Sequence, residues 1–189
     1  MSKITLLRHG QTDYNAKGLL QGRIDNSLNR TGFAQAKKAA EAIGQVDRII
    51  SSPLKRAIQT AEAFNKEIEI SDAWIELDYG EWDGKSVASI PKEIWEEWKN
   101  DPNFKPPKGE SLKNLGQRVR SFLETLDTDD DEHVLIVTHV SPIKASIAWA
   151  LGASDDIAWR TRLETASFSQ IHVKAGTPIL TKFNVTNPL

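Results

Sequence analysis

The strongest constraint on this chain is an alternation of patterns. Short, largely apolar runs at Ile4-Thr5-Leu6-Leu7, Val46 to Ile50 and Val134 to Val137 are separated by stretches with helical spacing. Runs of that length read as strands buried on both faces of a parallel sheet. Strands that alternate with helices predict an α/β fold, a three-layer α/β/α sandwich with a mostly parallel sheet. Between the first two runs Phe33, Ala36, Ala40 and Ile43 keep helical spacing, with Asn29 or Thr31 as cap and Gly44 as stop. Ser52-Pro53 and Ser141-Pro142 each read as an N-cap followed by a first-turn proline. The stripe Leu54, Ala57, Ile58, Ala61 follows the first pair, and Ile143, Ile147, Leu151 with Gly152 follows the second. Ser111 caps the clearest helix, in which Leu112, Leu115, Val119, Phe122 and Leu126 stand at steps of three and four.

Two regions depart from this rhythm. Phe168 to Val173 and Ile179 to Val185 alternate apolar and polar residues around Ala175-Gly176-Thr177, which predicts a hairpin adding an antiparallel edge strand. Tyr79 to Gly109 is rich in Trp, Pro and charge, with a helix expected around Lys92 to Lys99. It reads as a cap inserted into a single domain spanning residues 1–189. An exposed Trp patch there would serve as a lid or as a homodimer face. Asp127 to Glu132 carries five carboxylates in six residues and lacks EF-hand spacing and its glycine, so it reads as a solvated loop.

Composition narrows the partners. With 24 Lys and Arg against 26 Asp and Glu, a net charge of −2 and a pI near 6.1, bulk nucleic-acid binding is not expected. The absence of Cys excludes disulfides and Cys-based zinc sites. The first apolar run is too short for a signal-peptide core or a membrane span, so a cytoplasmic location with no membrane partner is the expectation. Any acidic ligand must meet a local group of Arg.

In an open parallel sheet the ligand lies beyond the carboxyl ends of the strands. The first run leads into Arg8-His9-Gly10, the second into Ser51-Ser52-Pro53-Leu54-Lys55-Arg56, and the third into Thr138-His139. Two guanidinium forks and two helix N-termini, at Pro53 and Pro142, make a dianion site without a metal, and phosphate is its natural guest. A neutral imidazole there can attack phosphorus and divide one difficult displacement into two. A proton donor for the leaving alkoxide is then needed, and a carboxyl group shielded from water suits it.

The sequence resembles the histidine phosphatase superfamily, the phosphoglycerate-mutase-like and acid-phosphatase-like proteins. Arg8-His9-Gly10-Gln11-Thr12-Asp13-Tyr14-Asn15 matches its signature, continued by Gln21-Gly22, Asp25, Leu28 and Gly32. Further blocks are Ser51 to Ala61, Glu76 with Tyr79 to Gly84, Pro107 to Ser111, and Val137-Thr138-His139. The resemblance implies that His9 is the phosphorylated nucleophile, and that Arg8, Arg56 and His139 bind the phosphoryl group. It implies that Glu76 is the acid, which then activates water as a base. It places Asn15, Gln21 and Gly22 near the substrate, with no cofactor and no metal, and a small phosphorylated metabolite as the partner. Val140 stands where many members carry Gly after the second His. The mutase branch usually has an adjacent Arg pair after the acid Glu, whereas no Arg occurs here between Arg56 and Arg118. The expected function is therefore a phosphatase acting through phosphohistidine, with a phosphoglycerate mutase or a silent phosphate-binding module as alternatives.

Rival readings are plainer. His133 and His172 have no Arg or Glu company and read as ordinary sheet positions. Asp78 and Glu81 compete with Glu76 for the acid role. Gly84-Lys85-Ser86 lacks the first Walker glycine, since Tyr79 stands there. The Trp residues read mainly as packing, with Trp82, Trp95 or Trp98 available to line a specificity pocket.

Overall fold

The structure is a computed structural model that describes residues 1–129 and 131–186. Its centre is a six-stranded sheet in the order β3-β2-β4-β1-β5-β6. Strands β1 (Ser2–Arg8), β2 (Arg48–Ser51), β3 (Glu69–Ile70) and β4 (His133–Thr138) are parallel. β5 (Phe168–Lys174) runs antiparallel to β1, and β6 (Thr177–Val185) antiparallel to β5. The C-terminal hairpin thus supplies two strands, β6 being the edge. The two-residue β3, too short to leave a pattern, forms the other edge.

Successive residues of a strand face opposite sides, and β4 shows the result directly. Val134 and Ile136 join Ile4, Leu6 and Ile50 in one apolar cluster, together with Leu115, Val119, Ile143 and Ile147. Leu135 and Val137 join Leu7 and Ile49 in a second, with Ala39, Ala57 and Ala61. The first is covered by α5 (Leu112–Thr125) and α6 (Val140–Leu151), the second by α2 (Arg30–Ile43) and α3 (Lys55–Ala61). This is the α/β/α sandwich expected. A four-residue helix, α1 (Asp13–Ala16), follows β1.

The caps at Asn29 and Ser111 and the stops at Gly44 and Gly152 stand where the sequence places them. Within α2, however, the buried face is Gly32, Ala36 and Ala39, while Phe33 is exposed. Close approach explains this: a Cβ on Gly10 would lie 2.4 Å from the Gly32 carbonyl oxygen, so the loop after β1 is pressed onto the start of α2. The two Ser-Pro starts also differ from expectation. α3 begins at Lys55 with Leu54 as N-cap, and α6 at Val140 with His139 as N-cap.

Residues 79–109 hold 3-10 turns at Gly80–Trp82 and Val87–Ser89 and the helix α4 (Lys92–Asn100). Trp82 and Trp98 are buried, and Trp95, Phe104 and Trp159 pack on them with ring centroids 5.4 to 6.3 Å apart. These rings are core, not an exposed patch. In the acidic turn, Asp127, Asp129 and Asp131 are exposed, while Asp130 lies outside the described residues. Among the described residues no helix is long and apolar enough to cross a membrane.

Candidate active site

The strand ends bring His9, His139, Arg8, Arg56 and Glu76 together in the interior. His9 follows β1, its backbone N–H donating to the Thr138 carbonyl at 2.9 Å. The ring centroids of His9 and His139 stand 5.1 Å apart, and both residues are almost wholly buried. His9 Nδ1 lies 2.7 Å from the Gly10 carbonyl oxygen. A carbonyl only accepts, so Nδ1 carries the hydrogen and Nε2 carries the lone pair. Burial, followed by the charges of Arg56 and Arg8, pushes the His9 pKa well below the usual histidine range, against a smaller opposing effect of the Gly10 carbonyl. The resting ring is therefore a neutral imidazole of one defined tautomer.

His139 is shifted the same way, by burial first and then by Arg56 and His9. Its Nε2 lies 2.7 Å from Ser52 Oγ, and its buried Nδ1 has no protein partner. Ser52 is thus engaged by His139, and its hydroxyl reaches only the Leu54 amide, at 3.3 Å. This is why it does not cap α3 as expected.

The two arginines differ. Arg56 has no exposed surface and donates Nη1 to the Ile24 carbonyl at 2.8 Å and Nη2 to the Gly22 carbonyl at 2.7 Å. Thr12 Oγ1 gives its one hydrogen to Asn15 Oδ1 at 3.0 Å, so the Gln21 contact to that hydroxyl, at 2.6 Å, comes from the Gln21 nitrogen. The Gln21 oxygen then accepts from Arg56 Nε and Nη1, both at 3.1 Å. Of five guanidinium N–H groups these contacts occupy four, leaving one for a ligand. Burial pulls the Arg56 pKa down to about 10, offset in part by Glu76. Arg8 donates Nη1 to the Leu163 carbonyl at 2.7 Å, and its buried Nε has no protein partner. Arg8 is the more open of the two forks.

Glu76 sits between Leu77 and α6. Its Oε1 accepts from the Leu77 N–H at 2.7 Å and the Ser141 N–H at 3.2 Å, and its Oε2 from the Val140 N–H at 3.1 Å. The N-terminus of α6 is capped by this carboxylate, which explains both the early start of the helix and the absence of a serine cap. Val140 donates as the first residue of a helix, a conformation that needs no glycine. The first amide of α3, that of Lys55, is likewise filled, by Asp25 Oδ1 at 2.7 Å. The two helix N-termini expected to meet the anion therefore already hold carboxylates of the chain. Among the described residues the two guanidinium groups and His139 keep capacity for an anion.

Gln21 and Gly22 form a buttress behind Arg56, and Asn15 is bonded to Thr12, which Gln21 also contacts. Asn15 Oδ1 also accepts from the Thr12 N–H at 3.0 Å, closing a capping box at α1. At Gly22 a Cβ would meet the Leu77 carbonyl at 2.6 Å, and the Gly22 N–H donates to Asp83 Oδ1 at 2.6 Å. The rival carboxylates lie elsewhere: Asp78 accepts from the Gly80 N–H, and Glu81 pairs with Lys108 at the surface. His133 is bonded to Thr5 and Gln45, within the sheet.

Sequence reasoning missed Arg118. On α5, it donates to the Ala73 carbonyl at 2.6 Å, the Ile75 carbonyl at 2.7 Å and Glu110 Oε1 at 3.0 Å, and so fixes the backbone that carries Glu76. The one available signal was a Glu in the Gly-Glu-Ser block followed eight residues later by an Arg on a helix. Tyr79 was also missed as a wall of this pocket; burial and then Glu76 raise its pKa, keeping the phenol protonated.

The sequence model described as "Histidine phosphatase superfamily (branch 1)" matches residues 4–186. Phosphoserine phosphatase 1 of Hydrogenobacter thermophilus is 34% identical over 98% of this chain and 93% of its own. A 2,3-bisphosphoglycerate-dependent phosphoglycerate mutase of Thermoplasma acidophilum is 30% identical over 90% of this chain and 87% of its own. Among solved structures, a phosphoserine phosphatase mutant from Entamoeba histolytica in complex with phosphoserine superposes with a TM-score of 0.89 at 27% identity, covering 97% of both chains. With the arginine and histidine side chains gathered at the ends of β1, β2 and β4, this chain belongs to branch 1 of the histidine phosphatase superfamily and is a phosphatase of that family.

Proposed function

We propose that the protein hydrolyses a small phosphomonoester through a phosphohistidine on His9, with no metal taking part. The observation that carries this reading is the tautomer of His9: the Nδ1–H bond to Gly10 leaves Nε2 as a lone pair on a neutral ring that feels the charges of Arg56 and Arg8. In the first step Nε2 forms a bond to phosphorus and the ester P–O bond breaks, while the proton carried in by the phosphate monoanion passes through Glu76 to the leaving oxygen. In the second, water attacks phosphorus, its proton passes to Glu76, and the N–P bond breaks to release phosphate. Arg8, the remaining N–H of Arg56 and His139 stabilise the charge on the phosphoryl oxygens. Gln21 and Gly22 act by holding Arg56 in place, and Asn15, bonded to Thr12 through its oxygen, offers its side-chain nitrogen to the phosphoryl group.

Transfer to a second phosphoglycerate finds little support. Arg118, the next arginine after Arg56, is held by backbone carbonyls and Glu110. We further propose a cytoplasmic enzyme whose residues 79–109 cap the pocket. The test is phosphate release from a panel of phosphomonoesters with a chelator present throughout. Turnover is expected; phosphate exchange between two phosphoglycerates without release would replace this reading with a mutase, and tight phosphate binding with neither would replace it with a silent binding module.

A further inference from the structure

Lys144 is a cation that the proposed chemistry leaves unused, and it stands beside that chemistry. It lies on α6 four residues after Val140 and three after Ser141, the positions whose amides hold the Glu76 carboxylate. Those spacings place it on their helix face, and helical side chains lean back over the preceding turn. Lys144 is half-buried, and its Nζ donates to the Ala158 carbonyl at 2.5 Å. Five residues further on, the Leu163 carbonyl accepts from Arg8. One stretch of chain, 158–163, therefore pins a cation at each end, with Glu76 acting on both.

The other cations nearby are already neutralised or engaged. Arg118 is bonded to Glu110, and Arg23 lies between Asp78 at 3.4 Å and Glu110 at 3.5 Å. Among the described residues Lys144 has no carboxylate within ion-pair distance; the partner it has is a neutral carbonyl, which fills one of three ammonium N–H donors. A cation partly removed from water, with donors to spare, beside a phosphoryl pocket suits a second anionic group on the same small ligand.

We infer that Lys144 recognises a carboxylate carried by the substrate, so that the preferred esters are phosphorylated hydroxy or amino acids rather than phosphates of neutral alcohols. This deepens the phosphatase reading above and rests on it. 3-Phosphoglycerate and glycerol 3-phosphate make the sharpest pair of probes, because they differ by a carboxylate against a hydroxymethyl group. kcat and KM are measured for both, and for O-phosphoserine, with the wild-type protein, Lys144→Met and Lys144→Arg.

The wild type is expected to favour the carboxylated esters. Lys144→Met should lose at least about tenfold in kcat/KM on them, through KM, and markedly less on glycerol 3-phosphate, while Lys144→Arg keeps the preference. Equal losses on all three esters would overturn the inference by showing that Lys144 acts through the scaffold around Glu76. No loss on any would overturn it too, as would a wild type that hydrolyses glycerol 3-phosphate but neither carboxylated ester, which leaves the phosphatase reading intact. A wild type inactive on every ester tried would remove both. Should Lys144→Met fail to fold, Lys144→Gln, which can still donate to Ala158, carries the same comparison.

Discussion

At the strand ends the buried side chains are held by directional bonds: His9 by the Gly10 carbonyl, Arg56 by Gly22, Ile24 and Gln21, Glu76 by three backbone N–H groups. Between Tyr79 and Phe104 they are held by ring packing, and Trp98, the most enclosed ring there, has no hydrogen-bond partner for its indole N–H among the described residues. Directional bonds fix where an atom points, which a reaction needs; ring packing fixes only that a volume is filled. Substitutions in the first region should therefore show in rate, and those in the second in stability.

The largest effect is expected at His9. His9→Ala should lower kcat by at least ~10⁴-fold, as nucleophile removal does elsewhere, with the melting temperature little changed. Next comes Glu76→Gln, with a loss of about 10²–10⁴ in kcat/KM on alkyl phosphates and a far smaller loss in kcat/KM on 4-nitrophenyl phosphate, whose leaving group needs no proton, while kcat falls on both because Glu76 also takes the proton of the attacking water. Asp78→Asn as the control should stay near wild type; a matching loss there would move the acid away from Glu76. Trp98→Ala sharpens the other half of the contrast. Denaturant melts should show about 3–5 kcal/mol of lost stability, with kcat of the folded fraction within a few-fold of wild type.

The smallest effect is one of pH. His9 and His139 have folded pKa values below the ordinary 6.5, so between the two values the unfolded chain binds more protons. Their contribution to stability is then complete above about pH 6.5 and is lost as the pH falls below it. Melting temperature should accordingly decline from pH 7 to pH 5, and less steeply in His9→Asn. The same shifts put the acid limb of kcat/KM below 6.5; a limb above 6.5 would mean that the nucleophile is protonated at rest.

Much of the frame was legible because it is local. Apolar runs become strands, Asn29 and Ser111 cap because their own N3 amides are within reach, and Gly44 and Gly152 end helices. What was not legible depends on partners distant in sequence. The cap of α6 is Glu76, 64 residues before Val140, and Ser52 turns to His139, 87 residues away. The bonds of the Asn15 oxygen to Thr12 and of Gln21 to Thr12 and Arg56 are likewise invisible in the motif. Phe33 keeps helical spacing with Ala36 yet is exposed, because the close approach of Gly10 to Gly32 turns α2 onto its glycine and alanines. Motifs therefore named the chemical groups, while the fold decided which face a ligand and which hold the others.

The central claim is the covalent step at His9. The most direct measurement mixes the protein with a phosphate-labelled ester that it turns over, quenches within the first turnovers, and locates the label by peptide mapping. The account predicts label on His9 that survives alkali and is lost in acid, as expected of a phosphoramidate, and that is absent from His9→Ala. Full turnover by His9→Ala, or label that is acid-stable or sits on another residue, would contradict it.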